Sequence, residues 1–250
     1  MQMQKYLFHI TIAVLATVLG STVGWCQNGD VSGPGDSDVA MQQISDDEAA
    51  MQQTFDEGTL LVHSGKFTEA IQQFDKVIAS YEEKFRDKKT RFFCARSSTE
   101  SLAYLLEVAS AKAGGAKVLS MNWAYAYYLK SYALLELGRL SDVKANLERA
   151  LALSPHNSQF LSELGNFYQR ERNWPKALQT FQRAEAAAEF SPPDVKNSDL
   201  SRAWRGIGFV YVEQKRLDEA EKIYQRCLEL DKNDTKAASE LRYVQDLMKR

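Results

Sequence analysis

The sequence is short of the residues that interrupt helices and of those that build reactive or metal-binding sites. It has only 5 prolines and 13 glycines in 250 residues, so long helices are possible. Its 3 cysteines are too few for the disulfide framework of a small secreted domain, and its 3 histidines lie far apart in the sequence. The formal charge of −2 is not the strong basic excess that is typical of nucleic-acid-binding proteins, so we expect no nucleic-acid partner.

Charge is nearly missing from the start of the chain, where Lys5 is the only charged side chain before Asp30. An apolar run from Tyr6 to Leu19 follows Lys5, and small residues come after that run. This order of basic, apolar and small-residue regions is typical of a secretory signal peptide. We therefore predict that residues 1–26 are a signal peptide, that the mature protein is periplasmic or secreted, and that no stable membrane span is left after cleavage. The alternative is an uncleaved signal anchor that tethers the chain to a membrane.

Residues 27–45 are rich in Gly, Asp, Ser and Gln and have few apolar side chains to bury, which predicts a flexible linker. From Asp46 onward, apolar residues recur at spacings of three and four, and the alternation of a strand is scarce. This pattern predicts one helical domain over residues 46–250.

One pattern of residues recurs within the helical domain. Its most complete copies are Trp204-x2-Ile207-Gly208-x2-Tyr211 with Ala220-x3-Tyr224-x2-Cys227, and Leu161-x2-Leu164-Gly165-x2-Tyr168 with Ala177-x3-Phe181-x2-Ala184. The pattern resembles the tetratricopeptide repeat, and copies of it occupy residues 51–84, 124–157, 158–191 and 201–234. The resemblance implies an all-α, right-handed α-solenoid in which each unit is a pair of antiparallel helices. Residues 235–250 would then form a C-terminal capping helix.

Residues 85–123 interrupt the repeat frame. Ser97 and Glu100 have the spacing of a capping box, which predicts a helix over about 98 to 113. The segment is long enough for a helical hairpin that has lost the motif, although the stretch from Thr90 to Arg96 fits no repeat. We therefore expect an irregular helical insert.

No arrangement of residues predicts catalysis. Cys94 and Cys227 lack the paired spacing of a metal site, and we favour two separate buried thiols over a disulfide. A nucleophile pair of either thiol with His63 or His156 would require residues from unrelated parts of the chain. We expect no enzyme, no cofactor and no metal; the alternative is an enzyme or enzyme subunit with its site in residues 86–122.

The resemblance implies a binding surface instead, because in this family the first helix of each unit lines a concave groove for a peptide or a partner helix. The groove positions carried over are Tyr125, Tyr128, Tyr132, Asn166, Arg170, Arg202, Arg205 and Phe209. Tyrosines suit binding surfaces, and the arginines could meet a carboxylate of a ligand. Two other interpretations stay open: the tyrosines pack against the insert, and the arginines are merely solvated.

Chaperone-binding members of the family hold a C-terminal carboxylate with a set of Lys, Asn and Arg residues. Glu163 occupies the central Asn position of that set here, and Tyr125 and Leu129 occupy positions one unit earlier. The resemblance therefore implies that this carboxylate clamp is absent. We predict a protein–protein interaction scaffold or adaptor that serves envelope or secretion assembly. An inhibitor or immunity-type binder of a single partner protein is the alternative, and self-association is also possible.

Overall fold

A computed structural model describes residues 36–86, 89–112 and 114–249, with side chains from Glu48 onward, so the predicted signal peptide lies outside the described residues. The chain divides into two compact units, residues 1–43 and 44–250, and the described part of the first unit is the beginning of a helix. The helices are α1 (Asp36–His63), α2 (Phe67–Lys84), α3 (Ser98–Ser110), α4 (Asn122–Glu136), α5 (Leu140–Leu153), α6 (Ser158–Arg170), α7 (Trp174–Ala187), α8 (Pro193–Glu213), α9 (Leu217–Leu230) and α10 (Thr235–Met248). Two strands, β1 (Thr90–Cys94) and β2 (Gly115–Leu119), flank α3.

The second unit is an array of helix pairs. Helix α4 pairs with α5, α6 with α7 and α8 with α9, and each pair packs on the next through α5 with α6 and α7 with α8. The last helix, α10, packs on α9 and buries Ala237 and Val244. This mostly helical array confirms the predicted all-α solenoid. In the part of the chain that the structure describes, none of the helices is both long and apolar enough to cross a membrane.

The turn between α1 and α2, and the turn inside each helix pair, contains one residue with a positive φ. Between α1 and α2 and between α4 and α5 this residue is a glycine, Gly65 (φ 70°) or Gly138 (φ 72°), which adopts the left-handed conformation without a steric cost. Arg172 (φ 54°) and Lys215 (φ 61°) occupy the corresponding turns between α6 and α7 and between α8 and α9. The turn is therefore set by the geometry of the pair and tolerates a side chain.

Aromatic rings fill the space beside small residues of the first helices. The ring of Phe181 is so close to Gly165 and Gly206 that an added Cβ would lie 2.7 Å and 2.3 Å from its Cε1 atom. Gly165 belongs to the same pair as Phe181, and Gly206 belongs to the next pair. One buried ring thus packs two neighbouring units together, as the repeat pattern implies.

The region before the first repeat differs from the sequence prediction. Helix α1 begins at Asp36, within residues 27–45, which were predicted to be a flexible linker. The linker was predicted from the Gly, Asp, Ser and Gln content of residues 27–45. The last glycine of that range is Gly35, and the helix begins at the next residue.

The insert is not the helical hairpin that we expected. Its strands β1 and β2 pair in parallel, with Thr90 opposite Gly115 and Cys94 opposite Leu119, and α3 is the crossover that a parallel pair requires. The β1 sequence, with Thr90 and two adjacent phenylalanines, has residue types that favour a strand. Because α2 packs directly on α4, the insert between them in the sequence does not interrupt the stacking of the helices.

The predicted helix inside the insert is confirmed, although it is three residues shorter than expected. Its N-cap is Ser97, whose hydroxyl accepts a hydrogen bond from the Glu100 backbone N–H at 3.1 Å. Tyr104 and Val108 of this helix pack with Phe93 of β1 in a small separate core. The capping-box spacing therefore located the helix, while the strands on either side carried no repeat signal.

Candidate functional site

The first helices of three consecutive units, α4, α6 and α8, carry the residues that the sequence predicted to line a groove. We call the surface that these helices form the inner face. Its residues are Tyr125, Tyr128, Tyr132 and Glu136 from α4, Glu163, Asn166 and Arg170 from α6, and Arg202, Arg205 and Phe209 from α8. The structure brings several of these side chains together and gives others a role within the fold.

Two of the tyrosines join α4 to α6. Tyr128 is only 5% exposed and stacks on Phe160 with ring centroids 4.9 Å apart, and Gln159 Nε2 donates a hydrogen bond to its hydroxyl at 3.1 Å. Tyr125 meets the edge of the same Phe160 ring at 5.6 Å but remains partly exposed. Tyr128 therefore serves mainly to pack the units, whereas part of the Tyr125 side chain stays exposed to solvent.

The predicted set left out two residues of the inner face, Glu136 and Glu163, and Glu163 is the less exposed of the two. Asn166 Nδ2 donates a hydrogen bond to Glu163 Oε2 at 3.1 Å, and the guanidinium groups of Arg202 and Arg170 are near. Burial raises the pKa of the Glu163 carboxyl above its ordinary value, and it outweighs the opposite effects of Arg202, the Asn166 hydrogen bond and Arg170. The sequence did contain a signal, since Glu163 stands where related repeats place a neutral Asn.

Two carboxylates act on the hydroxyl of Tyr132. Burial is the largest cause that raises the pKa of this hydroxyl, and Glu136, through its charge and a hydrogen bond, and the charge of Glu163 raise it further. Its ring is half-buried and meets the edge of Phe67 from α2 at 6.1 Å. Tyr132 thus belongs to an acidic part of the inner face.

Two of the predicted arginines already have carboxylate partners in the fold. Arg205 donates hydrogen bonds to Ser201 Oγ, at 2.8 Å, and to Asp234 at the N-cap of α10. Arg202 Nη1 lies 3.5 Å from Asp199 Oδ1. Asp234 therefore neutralises Arg205 within the fold, and Asp199 shares Arg202, so a ligand carboxylate would have to compete with these partners. The groove role of the two arginines stays a prediction.

Phe209 lies apart from the tyrosine cluster. Its half-buried ring packs against Trp174 at the start of α7, with centroids 6.4 Å apart. Arg170, by contrast, is exposed and is near Glu163. The predicted residues therefore fall into three sets. The residues of α4 and α6 form a central group, Arg202 lies beside this group, and Arg205 and Phe209 lie further from it.

The insert reaches the inner face through a buried ion network. Arg96 donates from Nη2 to Glu100 Oε1 at 2.7 Å and from Nη1 to Asp199 Oδ2 at 2.9 Å, and Ser191 Oγ accepts a further bond from Nη2 at 3.0 Å. Burial opposes the charge of Arg96, but Glu100 and Asp199 raise its pKa overall. The charges of Arg96, Asp199 and Glu100 also act on the hydroxyl of Tyr125, whose pKa is raised mainly by burial. The network therefore borders the inner face at Tyr125.

A stack of rings holds α3 against the loops between the helix pairs. The His156 ring lies between Tyr104 and Phe190, with centroid distances of 5.5 Å and 4.8 Å. The Tyr104 hydroxyl is 3.3 Å from Ser154 Oγ, and His156 Nε2 is 2.6 Å from Glu107 Oε1. His156 therefore helps to hold the insert against the helix pairs.

Neither described cysteine has the properties of a nucleophile. Cys94 and Cys227 are both buried and unpaired thiols. Burial raises the pKa of Cys94 to about 12 and that of Cys227 to about 11, so both remain protonated near neutral pH. Within the described ranges, no three His, Cys, Asp or Glu side chains are grouped closely enough to hold a metal ion. These observations give no support to a catalytic site in residues 86–122.

Two family models described as tetratricopeptide repeat match the chain, one over residues 124–157 and the other over residues 158–233. The chain contains tetratricopeptide repeats. The matched ranges coincide with the three tetratricopeptide units of α4 to α9. The first predicted unit, 51–84, lies outside both matches but shows the same packing, because an added Cβ at Gly58 would lie 2.8 Å from Phe74 Cε1.

Three known proteins resemble larger parts of the chain. It is 26% identical over 187 residues to Hsp70-Hsp90 organizing protein 3 of Arabidopsis thaliana, a match that covers 74% of this chain but 31% of that relative. The chain thus matches about a third of the length of this curated relative. The solved structure of Pseudomonas aeruginosa pilF is similar with a TM-score of 0.56 and 15% identity, over 81% of this chain and 71% of that one. MamA of Desulfovibrio magneticus RS-1 gives a TM-score of 0.53 and 14% identity, over 80% and 85% of the two chains. Both structures support the fold.

Proposed function

We propose that this tetratricopeptide-repeat chain is a non-catalytic scaffold or adaptor that holds an extended segment of a partner protein on its inner face. The observation that carries the proposal is the group of partly exposed polar and aromatic side chains, Tyr125, Tyr132 and Glu163, on neighbouring first helices. Tyrosine combines a large apolar surface with a polar tip, which suits repeated contacts along a peptide. The curated relative supports the proposal through its name, which describes a protein that organises two others.

The proposal includes export of the chain and a role in envelope or secretion assembly. It is supported by the order of Lys5, the apolar run from Tyr6 to Leu19 and the small residues behind that run. The mass of the protein purified from its host tests this part. A mature chain that begins near residue 27 in the exported fraction is expected, and an intact N-terminus in the cytoplasmic fraction would contradict export.

Site-specific photocrosslinking tests the binding proposal. A photoreactive phenylalanine analogue at Tyr125 is expected to capture the same partner segment repeatedly in the host cell, identified by mass spectrometry. The control is the same analogue at Gln182, an exposed position on the second helix α7. Equal capture of the same proteins from both positions would argue against binding at the inner face.

A further inference from the structure

Helix α3 of the insert has an apolar side that faces away from its own core. Its core side carries Tyr104 and Val108, which are buried. Its other side carries Leu102, Leu105 and Leu106, whose exposed fractions are 58%, 41% and 56%. Side chains three and four residues apart are neighbours on a helix surface, so these leucines form a contiguous strip. Single exposed leucines are common on proteins, but three on one helix form an apolar patch, which we call the leucine stripe.

The insert that carries the leucine stripe is basic. Residues 85–123 contain seven Lys or Arg and three Asp or Glu, a formal net charge of +4 in a chain whose total is −2. Two of the three acidic side chains have partners in the fold. Glu100 is buried against Arg96, and Glu107 Oε1 lies 2.6 Å from His156 Nε2. The charge that the insert presents to solvent is therefore mainly positive.

Two of the basic side chains lie beside α3. Lys112 follows the end of the helix, seven residues after Leu105, and its backbone N–H donates a hydrogen bond to the Ala109 carbonyl at 3.2 Å. Within the residues that the structure describes, the Lys112 ammonium group has no carboxylate partner. Arg91 is exposed, and its guanidinium carbon lies 5.1 Å from the centre of the Phe93 ring, on the sheet face that α3 covers. Cations therefore border the leucine stripe.

We propose that the leucine stripe and the basic side chains beside it bind the surface of a membrane that contains anionic lipids, with α3 lying along the interface. The leucines enter the boundary between headgroups and acyl chains, and Lys112 and Arg91 meet the lipid phosphates. This proposal goes beyond the proposed function, because it gives the scaffold a second surface that is separate from the inner face.

The shape of the surface favours a membrane over a protein partner. Helix α3 packs on β1, β2 and the 3₁₀ turn Ala188–Phe190, so its leucine side is a convex strip rather than a groove. Three leucine side chains offer much less area than the roughly 800 Å² that each partner of a stable protein interface buries. An interfacial helix needs only an apolar strip beside basic side chains, which is what α3 and its neighbours present.

Quenching by nitroxide-labelled lipid tests the contact at α3 itself. The apolar run from Tyr6 to Leu19 could bring the full chain to vesicles on its own, so the probe must report on the helix. A coumarin amino acid is placed at Ala109, an exposed position of α3, and in a control chain at Gln182, an exposed position of α7. The vesicles are phosphatidylcholine alone or mixed with phosphatidylglycerol.

We expect quenching at position 109 with the mixed vesicles, weaker quenching with phosphatidylcholine alone or at high salt, and none at position 182. An absence of quenching at 109, or equal quenching at both positions, would overturn the proposal. Equal quenching would mean that the chain meets the vesicle without using α3.

Variants separate the apolar and the electrostatic contributions. Leu102→Ser should raise the lipid concentration for half-maximal quenching at position 109 about tenfold, because one leucine side chain no longer leaves water. Lys112→Gln should raise it about fivefold. The matched controls are Leu60→Ser, at a 66% exposed position of α1, and Lys232→Gln, at an exposed position before α10, and both should leave it unchanged. Equal effects of the test and control variants would contradict a role of α3.

Other occupants of the leucine stripe give different results. If a second copy covers it, light scattering shows a dimer that Leu102→Ser dissociates, and position 109 is not quenched by lipid. If an acidic protein segment covers it, position 109 is again not quenched, and a photoreactive analogue there captures that segment. Either result would overturn the membrane assignment and leave the inner face untouched, because its own test is capture at Tyr125. Circular dichroism of Leu102→Ser is expected to match that of the unchanged chain, since the side chain is exposed.

Discussion

The repeat units and the insert are held together by different kinds of contact. In the repeats, the Phe181 ring contacts Gly165 of its own unit and Gly206 of the next. These contacts are apolar, and they join repeat units that follow one another in the sequence. In the insert, Arg96 joins Glu100 four residues away to Asp199, which is 103 residues away. Because the same apolar packing recurs in each unit, it leaves a recurring pattern of residues in the sequence. A single ion network between distant residues leaves no such pattern.

The two kinds of contact are also expected to fail differently. Loss of apolar fit between units costs packing energy that neighbouring side chains can partly recover by shifting. Loss of one partner in a buried ion network leaves a charge with no water and no counterion, which is a larger cost. The predictions below use this difference, from the largest expected effect to the smallest.

Arg96→Ala is expected to lower the free energy of unfolding by about 3–5 kcal/mol, because it leaves the buried Glu100 without a counterion and leaves Asp199 with only the more distant Arg202. Urea unfolding measures the total effect, and hydrogen exchange should show the lost protection concentrated in 90–119. Arg139→Ala is the control, because its ion pair with Asp142 is exposed and should contribute less than about 1 kcal/mol. Equal effects of the two variants would show that the buried network does not anchor the insert.

Gly206→Ala is expected to cost about 1–3 kcal/mol, since its Cβ would lie 2.3 Å from Phe181 Cε1 and force the ring or the helices apart. Gly115→Ala makes the same change in the insert, where the nearest atom to the new Cβ is Thr90 Oγ1 at 3.8 Å. The Gly115 variant should change the free energy of unfolding by less than about 0.5 kcal/mol. A cost at position 115 that equals the cost at 206 would remove the packing difference between the two regions.

Tyr104→Phe is expected to cost about 1 kcal/mol, because it removes a hydroxyl that lies 3.3 Å from Ser154 Oγ and accepts a hydrogen bond from the His156 backbone N–H. Thermal unfolding followed by circular dichroism measures the change. Tyr243→Phe, at an exposed position of α10, should have no measurable effect. If Tyr104→Phe also had none, the ring stack rather than the hydrogen bonds would hold α3 in place.

Glu163→Gln is expected to alter mainly the pH dependence of the free energy of unfolding. Because the folded pKa of Glu163 lies above its ordinary value of 4.5, the folded state binds the proton more tightly than the unfolded state does. The contribution of Glu163 is therefore fully present below pH 4.5 and is lost as the pH rises through the raised pKa. The variant removes this loss, so its free energy of unfolding should fall less above pH 4.5, measured by urea unfolding at several pH values. An unchanged pH profile would mean that Arg170 and Arg202 fully compensate the carboxylate.

The repeats could be predicted because their packing residues recur at fixed spacings. Gly165 and Phe181 stand at such positions, whereas Gly206, which approaches the same ring more closely, falls outside the motif and was missed. The strands of the insert were also missed, because a parallel pair depends on residues 90–94 meeting residues 115–119 across a crossover. No local pattern in either segment records that meeting.

For the inner face, too, the sequence pattern predicted some features and missed others. The motif frame correctly placed Tyr125 and Tyr132 on a first helix, because a position in the repeat fixes a direction around the helix. It could not show that Asp234 neutralises Arg205, nor that Glu163 of α6 acts on the hydroxyl of Tyr132 in α4, since each of these interactions joins residues about 30 positions apart that only the folded chain brings together.

The sequence by itself determined that this protein is a helical array with tetratricopeptide repeats, because each repeat buries its apolar residues against its immediate neighbours. Only the tertiary structure decided how the insert folds and which charges of the inner face are paired within the fold. The physical reason is the range of the interactions. Packing within a repeat depends on residues close in sequence, while the Arg96 network and the pairing of Arg205 with Asp234 depend on side chains that only the folded array brings together.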